Sequence, residues 1–303
     1  MRQPATNKFK ARIAHRGEHE WITLAPDMSR VTELVESNRG EVLEFLAIRP
    51  VHTVVMASFI EDNGIDSSLN RGKFYGFQND EGALEGVALI GHTTLVEARS
   101  DEALKALAFV AKRSETPIHL IISEGLLAES FWNHYCGGII SPRLVCTEQL
   151  FELGFPFPVQ VCEYDVRLAR PEELNQIAEA QAEVALSESG VNSLELDRKG
   201  FLARVLRRIE QGRIYVVVDE GRLVFKVDVI AQTSAVAYLE GVYVAPERRG
   251  EGIGSNCLAN VGLRLLNEVQ NVCLLSNVEF KNAHKSFQKA GFRNTDTCTT
   301  VFV

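Results

Sequence analysis

The chain has few cysteines for its 303 residues, and none of the six forms a C-x-x-C pair. Cys136, Cys146, Cys162, Cys257, Cys273 and Cys298 sit mostly inside apolar runs. They predict reduced core thiols in a cytoplasmic protein, not a disulfide framework or a zinc clip. The seven histidines are scattered, and the one close pair, His15 and His19, lies in a polar stretch, so no metal site is expected. Positive charge is in deficit: 32 Lys and Arg against 40 Asp and Glu give a net charge of −8. That balance argues against nucleic acid or an anionic membrane as a partner and is compatible with a cationic amine. No apolar run approaches the ~20 residues of a membrane span. The polar start, MRQPATNKFKARIAHRGEHEW, lacks the apolar core of a signal peptide. What is present is ordinary for a soluble globular chain, 46% hydrophobic and 24% charged. The length suggests two domains of about 150 residues each.

One stretch organises the rest: Y-L-E-G-V-Y-V-A-P-E-R-R-G-E-G-I-G, from Tyr238 to Gly254. Its first half is rich in β-formers and reads as a strand, stopped by Pro246, which has no N–H to donate. Ile253, Cys257, Val261, Leu265 and Val269 then recur every four residues, an amphipathic helix. A strand feeding a glycine-rich turn into a helix N-terminus makes an anion site, because the first helical N–H groups lack intrahelical partners and the dipole favours negative charge there. Arg249 adds a charge-assisted donor. The spacing R-x-x-G-x-G over Arg249 to Gly254 is neither the dinucleotide fingerprint nor a P-loop.

These residues resemble the GNAT superfamily of acyl-CoA-dependent N-acetyltransferases. The V-x-V-x-P strand ending, a strand over Val272–Leu275 and the K-A-G-F closure at Lys289–Phe292 agree with that resemblance. It implies an α+β fold with a mostly antiparallel mixed sheet flanked by helices, acetyl-CoA as cosubstrate, a small-molecule or peptide amine as acceptor, and room for a homodimer. Around this core the second half reads as helices over 173–186 and 196–211, a hairpin of 214–218 and 223–230, a helix over 281–290 and a strand near 299–303. V-C-E-Y-D-V-R-L from Val161 reads as a strand leading in.

The first half has a similar rhythm. Helical spacing covers Val31–Ile48, with Asn38-Arg39-Gly40 as a candidate interruption, and Pro50 marks a break before a β-branched apolar stretch, His52–Ile60. Strands at 74–77 and 84–90 flank the turn Asn79–Gly82. A strand over 93–97, helix over 101–111, strand over 118–122, helix over 126–135 and extended run over 143–151 complete it. Where the anion loop would fall, the sequence is L-V-E-A-R-S-D-E-A, without glycine and with Asp101 and Glu102 placed to repel a pyrophosphate. The chain therefore resembles two-domain acetyltransferases: a flexible tail over 1–30, a degenerate GNAT-like domain over 31–158 and a complete GNAT domain over 159–303.

The resemblance places pantetheine against the backbone of Val242, Tyr243 and Val244, and the pyrophosphate on the amides of Arg249, Gly250, Gly252, Ile253, Gly254 and Ser255. Glu240 is the candidate general base that deprotonates the ammonium. Strand parity puts it on one face with Val242 and Val244, with Tyr243 opposite. Glu188 is a weaker candidate for recognising an amine, and Arg248 reads as a surface charge. Two positions depart from the family. Phe287 stands where a thiol-protonating tyrosine is common, and Phe280 where asparagine is common; Asn277 and Asn282 flank that gap as candidate CoA contacts. Phe287 cannot act as an acid. The expected activity is direct acetyl transfer to a primary amine by the C-terminal half; the alternative is a non-catalytic acyl-CoA-binding or regulatory module.

Overall fold

The computed structural model describes residues 26–157 and 161–303. Most of the expected tail lies outside them, as does the boundary placed at 158/159, and Met28–Arg30 forms a short 3-10 turn. In the first half, β1 (Val31–Glu33) is followed by α1 (Arg39–Ala47) and α2 (Pro50–Asn63). Then come β2 (Gly72–Gln78), β3 (Leu84–Gly91), β4 (Thr93–Ala98), α3 (Asp101–Arg113), β5 (Leu120–Glu124), α4 (Leu127–Cys136) and β6 (Leu144–Leu153). The second half runs β7 (Arg167–Leu168), α5 (Leu174–Ser189), α6 (Ser193–Leu196), α7 (Arg198–Glu210), β8 (Ile214–Asp219), β9 (Arg222–Gln232) and β10 (Val236–Val244). It ends with α8 (Ile253–Leu265), β11 (Asn271–Asn277), α9 (Lys281–Lys289) and β12 (Arg293–Phe302).

Four local readings change. The stretch His52–Ile60 is helical, because Pro50 occupies the first turn of α2 and presets its backbone dihedral. That helix is apolar around most of its circumference because it is buried between layers. The helix expected from residue 31 begins instead at Arg39, after β1 pairs with β2. The helix expected over 196–211 breaks at Asp197, whose carboxylate accepts from the Gly200 N–H (2.9 Å) and caps α7. The strand expected from Val161 is reduced to Arg167–Leu168.

The twelve strands form one sheet in the order β1-β2-β3-β4-β5-β12-β6-β11-β10-β9-β8-β7. The two halves therefore exchange their closing strands. β12, from the C-terminal half, lies between β5 and β6, and β6, from the N-terminal half, lies between β12 and β11. In the C-terminal half one face packs against α8 and α9, with Leu239, Cys257, Leu258 and Phe292 buried there. The opposite face packs against α5 and α7 through Ile177, Val205, Val216 and Tyr243. α2 crosses the seam on that same side, with Val54 against Leu150, Tyr238 and Cys273. The six cysteines are free thiols. No helix among the described residues is long and apolar enough to cross a membrane.

Candidate active site

β10 and β11 run parallel and pair only from Val236·Asn271 to Leu239·Leu274. Beyond that point β10 keeps its pairing with β9, and β11 keeps its pairing with β6, so the two strands splay apart. The edge of residues 240–244 that faces β11 is left without a strand partner. α8 starts at the wide end of this opening. Its N-cap is Gly252, with φ of 83° and no side-chain cap bond. Gly250 also has positive φ, 92°, and a Cβ there or at Gly252 would sit in the open approach to the helix end. The free first-turn N–H groups and a bare backbone thus face one opening, which suits a pyrophosphate. Arg249 lies at its edge, its Nε donating to the Val244 carbonyl (3.0 Å) and its guanidinium paired with Glu183 (3.1 Å). Arg248 is held away by Glu251 and Asp219, as expected of a surface charge.

In the N-terminal half β4 and β5 also diverge after a short ladder, but the gap between them is bridged and the helix end beyond it is capped. β4 and β5 pair from Thr93·Leu120 to Leu95·Ile122. There the Ser123 hydroxyl bridges to the Val96 carbonyl across the gap (2.8 Å). Ser100 caps α3 by accepting from the Ala103 N–H (3.2 Å). Asp101 and Glu102 occupy the helix end and pair with His134 and Arg30.

Strand parity fails in β10. The register jumps between Glu240·Asp228 and Tyr243·Lys226, a bulge centred on Gly241 with φ of 61°. A Cβ at Gly241 would lie 2.6 Å from Gln181 Oε1 and 2.9 Å from Lys226 Nζ, so the positive φ favours glycine there and a side chain would displace the ends of Gln181 and Lys226. The extra residue inverts the alternation. Val242 and Val244 pack on the α8 face, whereas Tyr243 joins the α5–α7 face. Glu240 follows Tyr238, which is on the side of α2. Glu240 and the valines therefore do not share a face, and Tyr243 is not opposite Glu240.

Glu240 is the centre of a polar cluster. Tyr238, 7% exposed, donates its hydroxyl to Glu240 Oε1 (2.8 Å). Burial pushes the Glu240 carboxyl up, and the Tyr238 hydrogen bond and the Arg208 charge work against that rise. Glu148 of β6 is raised by burial, tempered by its hydrogen bond from Thr300 and reinforced by Glu240. Glu188, at the end of α5, is pushed up to about 7 by desolvation first and then by the Glu240 and Glu148 charges. The residue as a whole is exposed at the rim; the surrounding protein mass and facing carboxylates carry the shift. Behind them Lys226 is completely buried, 2.8 Å from Asp228, which also pairs with Arg208 (2.8 Å). Burial drives the Lys226 ammonium down and Asp228 holds it up. Gln181 accepts from the same ammonium.

The structure brings Glu240 and Glu188 together and adds Glu148, Tyr238, Lys226, Asp228 and Arg208. A sequence signal for part of this exists: Lys226 and Asp228 are charges two apart in the apolar strand F-K-V-D-V, where unpaired charges would be costly. Glu148 carries no such signal, because its place depends on the exchanged strand. Phe287 is a core residue, edge-on to Phe151 at 5.5 Å. One turn before it His284 is buried, its Nε2 3.0 Å from the Asn277 carbonyl. Asn277 also accepts from the Glu279 N–H through its side chain (2.9 Å), shaping the turn into α9, and Asn282 is exposed in the first turn of that helix.

In the C-terminal half an open sheet edge feeds an uncapped helix, and the N-terminal half repeats the plan with its gap bridged and its helix capped. Residues 210–294 match the family model described as an acetyltransferase (GNAT) domain, and the fold over most of the chain is similar to that of tandem GNAT structures. A solved Drosophila protein overlays with a TM-score of 0.66 at 11% identity, covering 90% of this chain and 98% of its own. A tandem GNAT protein from the clavulanic acid biosynthesis pathway gives 0.55 at 14%, covering 90% and 98%. A GNAT-family acetyltransferase from Colwellia psychrerythraea gives 0.52 at 14%, covering 90% and 99%. At these identities the likeness is one of fold. No curated protein matches the chain.

Proposed function

We propose that this protein transfers an acetyl group from acetyl-CoA to a primary amine in its C-terminal half. The observation that carries the reading is the coincidence of two features across one strand: the splayed edge of β10 leading to the uncapped α8 on one side, and the half-buried carboxylate of Glu240, lining a cavity, on the other. The residues present suit the cosubstrate. Backbone groups of Val242–Val244 face the opening, and the amides of residues 249–255 meet its wide end. When bound, acetyl-CoA supplies a thioester whose carbonyl carbon bonds to the amine nitrogen as the bond to sulfur breaks.

The chain's own residues do the rest. The carboxylates of Glu240, Glu148 and Glu188 favour an ammonium over a neutral or anionic acceptor. Glu240, raised by burial, is placed to take a proton from that ammonium and free its lone pair. Tyr238 fixes one oxygen of Glu240 and orients the other. The Lys226–Asp228–Arg208 group behind the cluster holds charge balance without entering the reaction. Phe287 leaves no side-chain acid at its position, so the departing thiolate takes its proton from water or from the acid formed at Glu240.

Thiol release from acetyl-CoA in the presence of a panel of primary amines tests the proposal. Amine-dependent release that falls in Glu240→Gln is expected. Binding of acetyl-CoA without release for any amine would favour a non-catalytic acyl-CoA-binding module instead.

A further inference from the structure

A cavity of about 350 Å³ lies under α2, and it is not confined to the C-terminal half. Val51, Val54, Val55 and Phe59 of α2 form its roof. Its floor is contributed by strands on both sides of the seam, from Leu95 and Ile122 in the first half to Leu275 and Ile230 in the second. Glu240 and Tyr238 line one part, and Leu69, Asn70, Arg71 and His92 line another. From β4 to β10 the sheet order gives five strand spacings, about 24 Å at ~4.8 Å each. Such a space is elongated, and its walls are mostly apolar.

The polar groups along it are unequal. Glu97 and Glu124 of the N-terminal half each have an ion-pair partner in the chain's own Arg49, which lies 3.2 Å from Glu97 and also pairs with Glu124, and the Arg99 charge acts on Glu97 as well. The far end presents Arg71 and His92, the latter stacked on His119 at 4.0 Å between centroids. Neither place favours a second cation. At Glu240, with Glu148 and Glu188 beside it, carboxylates outnumber partners. One roof atom, His52 Nδ1, is buried without a hydrogen-bond partner among the described residues.

We propose, building on the transferase reading of the same site, that the acceptor is an elongated amphipathic monoamine. Its ammonium lies at Glu240, and its apolar body runs under α2 across the seam into the N-terminal half. The degenerate half thereby serves as the acceptor pocket of its neighbour.

The test compares ethylamine, butylamine, hexylamine and octylamine, by kcat/KM with acetyl-CoA and by calorimetric Kd without it. Each added methylene buried against the wall is expected to raise affinity about fourfold, from ~0.8 kcal/mol per CH₂. 1,8-Diaminooctane and octanol are expected to bind at least tenfold more weakly than octylamine. The variants Val55→Trp and Val51→Phe, checked for folding by thermal melt, are expected to flatten the chain-length dependence. A flat profile in the wild type, or an unchanged steep profile in both folded variants, would overturn the assignment. Acetylation of ethylamine as efficiently as octylamine would overturn it while leaving the transferase reading intact. Chain-length-dependent binding of octylamine with no thiol release would support the cavity and overturn the transferase reading.

Discussion

Replacing Glu240 with glutamine separates chemistry from architecture. The side chain keeps its shape, and its carbonyl oxygen still accepts from the Tyr238 hydroxyl, a 2.8 Å contact in the native protein. What is lost is the ability to take a proton. Glu240 also sits near Asp228 and close to Glu148 and Glu188, so removing its charge relieves repulsion in a buried site. Melting temperature is therefore expected to hold or rise. Loss of a positioned general base costs about 10²–10⁴ in rate, or roughly 2.7–5.4 kcal/mol of barrier at 1.36 kcal/mol per tenfold. The assay is thiol release under saturating acetyl-CoA with octylamine or the best amine found, over pH 6 to 10, with a melt on the same preparation. A folded variant whose kcat/KM stays within about twofold of wild type across that range would refute the role of Glu240.

Tyr238→Phe removes the hydrogen bond that holds the Glu240 carboxyl down, so the acid limb of the pH–rate profile is expected to move to higher pH; an acid limb that stays in place or moves lower would contradict it. Asp228→Ala leaves the fully buried Lys226 ammonium without its carboxylate partner and is expected to cost about 3–5 kcal/mol in denaturant unfolding, while Arg222→Ala, at the exposed start of β9, is expected to cost under about 0.5 kcal/mol. Chains cut into 1–158 and 159–303 are expected to stay soluble and gain native circular dichroism only when mixed, because β6 pairs with β11 and β12 pairs with β5.

The sequence made much of this legible where local chemistry decides. The spacing R-x-x-G-x-G after a β-rich run locates the splayed strand and the uncapped helix, and the missing glycines before Asp101 locate the copy with the capped helix. Periodicity fails where burial is two-sided: α2 is apolar on most of its surface because it is packed over the seam, so it carries no clear stripe. Parity fails at Gly241, where one inserted residue moves Tyr243 to the other face. A glycine in a strand is a bulge signal in its own right, but only the structure shows the positive φ at Gly241 and the Gln181 and Lys226 side-chain ends packed against it. The exchange of β6 and β12 leaves no local trace, and with it goes the placement of Glu148. Long-range pairing of this kind is set by the whole sheet, not by any window of sequence.

The most direct measurement is a calorimetric titration of acetyl-CoA into the wild-type protein and into Gly252→Glu, with Gly221→Glu as a control for placing a side chain at an open, positive-φ glycine (78°). One site per chain is expected in the wild type and in Gly221→Glu, because in the N-terminal half the matching gap is bridged by Ser123 and the helix that follows it, α3, is capped by Ser100. Binding in Gly252→Glu should be lost, since its carboxylate enters the anion site. No binding by the wild type, or equal binding by Gly252→Glu, would contradict a cofactor site at the start of α8.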